Sequence, residues 1–222
     1  MKNLRNALLL KQLYQLKQLG YKYSNISTAP PKKEPLDIKE IRDITILKEE
    51  ALVCNLCDLS KNRKNVMFGE GNFNAEIMFI SDNINFTQES SNNLFSGRSG
   101  ELLSNMIEKV LLIPKSKIYF TNLVKCRPYN NKKITSIEAH TCLFYLKKEI
   151  ELIRPRIVVT LGIDAYNYLT GESAKLENIR GKSQTRDNYI IVPTFHLNHL
   201  LREPSAKRFA FEDMKLIKSL MD

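Results

Sequence analysis

Hydrophobic positions along this chain fall into two alternating kinds of run. Four short stretches are apolar nearly throughout: residues 76–80 (EIMFI), 117–123 (KIYFTNL), 156–161 (RIVVTL) and 189–192 (YIIV). Between and after them, apolar residues recur at helical spacing over residues 100–112, 136–153, 163–169 and 205–221. Punctuation agrees with this reading. Glu138 lies in the first turn of the 136–153 segment and Pro155 ends it, while Gly162 closes the third strand and Gly171 the helix after it. Strands without polar alternation, separated by helices, predict a parallel sheet covered on both faces. The expected fold class is therefore α/β, a three-layer α/β/α sandwich around a central, mainly parallel four-stranded sheet. Ligands of such sheets bind beyond the carboxyl ends of the strands. That rule singles out residues 81–95, 122–130, 162 onward and 194–202.

The first 35 residues stand apart. Leucines at 4, 8, 9, 10, 13, 16 and 19 approach helical spacing, and Ala29-Pro30-Pro31-Lys32-Lys33 breaks the pattern as a linker. Residues 1–35 are expected to form an appended helix and tether, and residues 36–222 the main domain. Lys11 and Lys17 interrupt the apolar residues and no small-residue cleavage site follows, which argues against a targeting signal and for a cytoplasmic protein. No apolar run approaches the roughly 18 residues that a membrane span needs.

Composition changes the picture in two ways. The chain has 222 residues, 43% hydrophobic, enough for one domain with a substantial core, and a net charge of +10. Such a balance suits nucleic acid as partner. The clusters Lys61-Asn62-Arg63-Lys64, Lys125-Cys126-Arg127, Lys132-Lys133 and Lys207-Arg208 strengthen that reading, because three of them flank the segments of interest. The four cysteines fall as Cys54-x2-Cys57 and Cys126-x15-Cys142. In a reducing compartment they are expected as metal ligands rather than disulfides. Spacing alone leaves zinc and an iron–sulfur cluster equal, since both accept four thiolates.

The segments at the strand ends carry a specific set of residues. Ser81-Asp82-Asn83-Ile84-Asn85 and then Phe95-Ser96-Gly97-Arg98-Ser99-Gly100 follow the first strand. Thr121-Asn122-Leu123-Val124-Lys125-Cys126-Arg127-Pro128 ends the second. Thr194-Phe195-His196, running on to Leu200-Leu201-Arg202, follows the last. Together with the cysteine spacing and Gly69-Glu70-Gly71, these resemble, in the family's order, the uracil-DNA glycosylase superfamily and most closely its family 4, the iron–sulfur branch. The resemblance covers roughly residues 50 to 222.

The resemblance implies a monomeric, monofunctional glycosylase that removes uracil from DNA and leaves an abasic site. It implies a 4Fe–4S cluster on Cys54, Cys57, Cys126 and Cys142, with a structural role. Phe95 would offer an aromatic face to the flipped base. Asn122, with both a donor and acceptors, suits the N3–H and O4 of uracil, which cytosine presents with reversed polarity. His196 would stabilise charge on the leaving O2. Lys125, Arg127, Lys132, Lys133 and Arg202 are the expected contacts to DNA phosphates. The first loop departs from the family's G-E-[AG]-P-G, since both glycines and the proline are replaced. Asp82 keeps a carboxylate where the family has Glu, and Asn83 stands where related branches position the attacking water. Two other readings remain at this point: a non-catalytic iron–sulfur DNA-binding homologue, and a zinc-stapled nucleic-acid-binding module.

Overall fold

The computed structural model describes residues 2–20, 40–186 and 188–221. Chain contacts divide it into two compact units, Met1–Pro35 and Leu36–Asp222. The first contains helix α1 (Lys2–Gln18). The Ala29–Lys33 stretch expected as a linker lies outside the described residues.

In the second unit, helix α2 (Ile44–Leu52) opens the fold, its first N–H groups capped by the Asp43 carboxylate. Among the described residues, six strands then form one sheet in the order β1-β3-β2-β4-β6-β5. The four expected strands are its parallel core: β2 (Ile77–Ser81), β3 (Ile118–Asn122), β4 (Ile157–Leu161) and β6 (Tyr189–Thr194). Two short antiparallel strands, β1 (Glu70–Gly71) and β5 (Gln184–Arg186), close the edges and were not anticipated. At two and three residues, half-exposed, they are too short to leave a periodic signal.

Every residue of β2, β3 and β4 is buried because helices cover both faces. Alternate strand residues sort into two cores. Met78, Ile80, Tyr119, Val158 and Ile191 pack with α2, α5 (Ser136–Ile153) and α6 (Ile163–Thr170), and Ile179 of the short α7 (Leu176–Ile179) packs against the same core. Ile77, Phe79, Phe120, Val159 and Val192 pack with α4 (Gly97–Met106), α8 (Leu197–Arg202) and α9 (Lys207–Ser219). This is the three-layer sandwich. Helix α5 matches its expected bounds. Thr135 and Glu138 make a reciprocal capping box at its start, and Arg154, left-handed at φ 54°, ends it ahead of Pro155.

The parallel register aligns the carboxyl ends of the four central strands. Ser81 pairs with both Asn122 and Leu161, and Leu161 pairs with Thr194. The ladder continues past the strands, with Leu123 N–H donating to the Ser81 carbonyl (2.8 Å) and Gly162 N–H to the Thr194 carbonyl (2.9 Å). Asn122, Asp82 and His196 thus leave the same edge of one rigid sheet.

Candidate active site

Asp82 and His196 come from the ends of β2 and β6 and meet directly. His196 Nε2 lies 2.8 Å from Asp82 Oδ1. On the other side of the ring, the Asn198 N–H donates to His196 Nδ1 at 3.1 Å, so Nδ1 is the acceptor and Nε2 carries the proton that Asp82 receives. Gly162 makes this approach possible. At φ +101° it sits where a Cβ would lie 3.1 Å from His196 Cβ. Burial pushes the Asp82 carboxyl up, but the hydrogen bond and electrostatic pull of His196, with the Asn83 N–H at 2.7 Å, outweigh it and hold the carboxyl below its ordinary value. Asp82 is therefore a carboxylate at neutral pH. Ser81 Oγ stands 3.4 Å from both His196 Nε2 and Asp82 Oδ1, a hydroxyl at a position where the resemblance implies glycine.

The altered first loop is built into the fold without left-handed backbone at residues 81–85. Ile84 is buried in the core that Phe79 and Phe120 share with α4, α8 and α9. Asn85 caps α3 (Phe86–Ser91) in a capping box with Gln88 and also donates to Ser99 Oγ at 3.1 Å. Asn83 is half-buried and lines a cleft of about 510 Å³ with Asn85, Pro128, Lys132, Asn198 and Arg202.

Asn122 is fully buried, and its Nδ2 and Oδ1 both lack a hydrogen-bond partner among the described residues. Buried amides are rarely left so, because the desolvated group costs about 1–3 kcal/mol without a partner. Such a group is a candidate ligand position. Phe95 is half-buried, tilted against Phe120 at 5.3 Å between ring centres, with Lys115 Nζ over its ring at 5.7 Å from the ring centre. Gly100 lets the Phe95 backbone lie directly on α4, where any Cβ would clash at 2.1 Å.

The basic residues separate into two groups. Lys132, Lys133 and Arg202 are exposed, and Lys132 and Arg202 share the cleft with Asn83. Lys125 is not a surface cation. It is 2% exposed, and its ammonium contacts Glu149 Oε2 (2.5 Å), Thr121 Oγ1 (2.6 Å) and the Asn122 carbonyl (2.8 Å). A phosphate cannot reach it there, and its place is to hold the strand end that carries Asn122. Arg127 is likewise turned inward, its Nε donating to the buried Glu89 Oε2 at 2.6 Å. Neither Glu149 nor Glu89 was singled out in the sequence. They lie 24 and 38 residues from their partners, and no local pattern joins them.

The four cysteines are free thiols in one region. Cys54 and Cys57 pack on the core cluster that contains Cys126 and Cys142. Burial pushes the Cys126 thiol up against the pull of Arg63, and a negative charge on Cys57 or Cys54 would push it further, as one on Cys126 or Cys57 would push Cys142. Burial pushes Cys142 up to about 12, against the pull of Lys125, whose backbone N–H donates to its sulfur at 3.4 Å. Arg63 donates to both the Cys54 carbonyl (2.6 Å) and Cys126 Sγ (3.3 Å). The donor set suits a thiolate-ligated centre, although among the described residues no group of three or more His, Cys, Asp or Glu is placed to hold a metal ion as it stands. No helix among the described residues is long and apolar enough to cross a membrane.

Comparison with known proteins agrees with the geometry. Residues 68–216 match the family described as the uracil DNA glycosylase superfamily. The chain is similar to a type-4 uracil-DNA glycosylase of Saccharolobus solfataricus, 35% identical over 81% of this chain and 87% of the relative. It is similar to one from Thermotoga maritima, 33% identical over 79% of this chain and 93% of the relative. A third similarity is to a DNA polymerase of Bacillus phage SP01, 27% identical over 70% of this chain but 17% of the polymerase.

Proposed function

The chain belongs to the uracil DNA glycosylase superfamily, and from that premise we propose that it is a DNA-repair glycosylase that hydrolyses uracil from DNA. The reaction adds water to C1′ of the deoxyribose. The C1′–N1 bond breaks, its electron pair leaves with the uracil, and the proton lost by water completes free uracil beside an abasic sugar. The single observation that carries this reading is the buried, unpartnered Asn122 amide at the end of β3. Its Oδ1 accepts from uracil N3–H and its Nδ2 donates to O4, a match that cytosine reverses.

The Asp82 carboxylate faces the positive charge that grows on the sugar, and Asn83 orients the water beside it. With the pocket filled, the His196 Nε2 proton that rests on Asp82 in the free protein serves the uracil O2, where one such contact is worth about 3 kcal/mol. Phe95 covers the base, while Lys132, Lys133 and Arg202 meet the phosphates.

Cys54, Cys57, Cys126 and Cys142 would hold a 4Fe–4S cluster. When bound, it supplies a staple between the Cys54 segment and the 126–142 segment, and no step of hydrolysis runs through it. On this reading the protein works as a monomer in the cytoplasm, where free thiols persist. The test is incubation with a uracil-containing oligonucleotide followed by hot alkali. The expected result is a break at the uracil position. Intact strands from both single- and double-stranded substrates, with binding retained, would leave the altered loop as the mark of a non-catalytic binder.

A further inference from the structure

Phe86 opens α3, four residues beyond Asp82, and the residue is 57% exposed. Single exposed apolar residues are ordinary. This one has a constructed setting. Two cations flank the ring, Lys64 Nζ at 5.9 Å and the Arg127 guanidinium at 5.5 Å. A single buried carboxylate brings both there. Glu89, fully buried on the same helix, accepts from the Lys64 backbone N–H (2.8 Å) and from Arg127 Nε (2.6 Å). The Asn85 cap and its bond to Ser99 fix the start of the helix against α4. The ring also lines an open cleft of about 480 Å³ with Arg98, Asn198 and Leu201. Asn85, Asn198 and Leu201 line the Asn83 cleft as well, so the two clefts adjoin. By chain reach, Phe86 stands no more than about 14 Å from Asp82.

An exposed aromatic side chain with cations over its ring, beside a basic groove, is a place where an unpaired base stacks, sharing the ring with or displacing a mobile cation such as Lys64. We propose that Phe86 is a stacking platform for the base next to the extruded uracil on a single strand, with Lys64 and Arg98 taking the adjoining phosphate. This rests on the uracil-pocket reading above and adds to it a subsite for a second nucleotide. A neighbouring base held in a duplex is already stacked and paired, so the platform favours single-stranded substrate.

The test is fluorescence anisotropy with short single strands that carry an uncleavable 2′-fluoro-deoxyuridine. Each neighbour of the uracil is either a normal nucleotide or a base-less tetrahydrofuran spacer. Wild-type protein should lose about tenfold or more in affinity when the base on one side is removed. Phe86→Ala should show that loss on the intact strand and no further loss with the spacer, while Phe86→Tyr behaves as wild type. Equal spacer penalties for wild type and Phe86→Ala would overturn the proposal. Should Phe86→Ala fail to fold, a wild-type protein indifferent to spacers on both sides would overturn it equally. Because the readout is binding, a protein that passes this test yet releases no uracil from ordinary strands contradicts the hydrolase reading and leaves the platform standing.

Discussion

At the scale of the residue, the site is governed by how Asp82 and His196 share a proton. The Asp82 carboxyl is held below its ordinary value, so its contribution to stability is present above the unfolded-state pKa and disappears as pH falls through the lower folded-state value. The acid limb of the single-turnover rate should accordingly lie below the usual carboxylate range of about 3.9. His196→Ala removes the largest offset to burial. Its rate should fall roughly a hundredfold at neutral pH, and its acid limb should move upward. A pH–rate profile of the variant with an unmoved acid limb would separate Asp82 from the titration. Asn122→Asp places a carboxylate where the amide stands. It should weaken discrimination against cytosine, read as cytosine released from a cytosine strand relative to uracil from its counterpart. These residues were legible in the sequence because they stand in compact motifs at strand ends. Their pairing was not, since Asp82 and His196 are 114 positions apart and meet only through the register of β2, β4 and β6.

At the scale of the element, the strand-end turn after β3 depends on a buried ion pair. Lys125 and Glu149 are 2% and 0% exposed, with Tyr119 and Thr121 hydroxyls also bonded to the carboxylate. Removing one partner strands a buried charge. Lys125→Met should destabilise the fold by about 3–5 kcal/mol, seen as a lower urea midpoint. Lys125→Met with Glu149→Gln should recover part of that loss, because no bare carboxylate remains. A Lys125→Met midpoint equal to wild type would show that the pair is not structural. The sequence placed Lys125 on the DNA because it sits in a basic cluster. Charge in sequence does not reveal exposure, and its carboxylate partner lies on α5. The strands and long helices were readable because full burial leaves unbroken apolar runs and α5 carries its own caps. Helices α2, α3 and α8, of nine, six and six residues, were missed or read as loops because so few turns establish no period.

At the scale of the molecule, a chain of net charge +10 presents Lys132 and Arg202 in the Asn83 cleft, with Lys133 exposed next to Lys132 in the chain. Affinity for duplex DNA should fall with salt by about 0.9 log units per tenfold salt for each phosphate neutralised. Lys132→Ala with Lys133→Ala should flatten that slope and leave base preference intact. A salt-independent affinity would remove the electrostatic account. Protein purified without oxygen should be brown, with about four irons per chain on the four thiolates. Stoichiometric zinc without iron would replace the cluster. Catalysis by this protein requires that the altered first loop, with Asp82 and Asn83, still supports hydrolysis. The measurement that decides it is the single-turnover release of free uracil from single-stranded DNA by wild-type protein beside Asp82→Asn. The account predicts rapid release by wild type and a loss of about a hundredfold or more in the variant, with DNA binding kept. Release by wild type at the buffer background, or equal release by the two proteins, would contradict it.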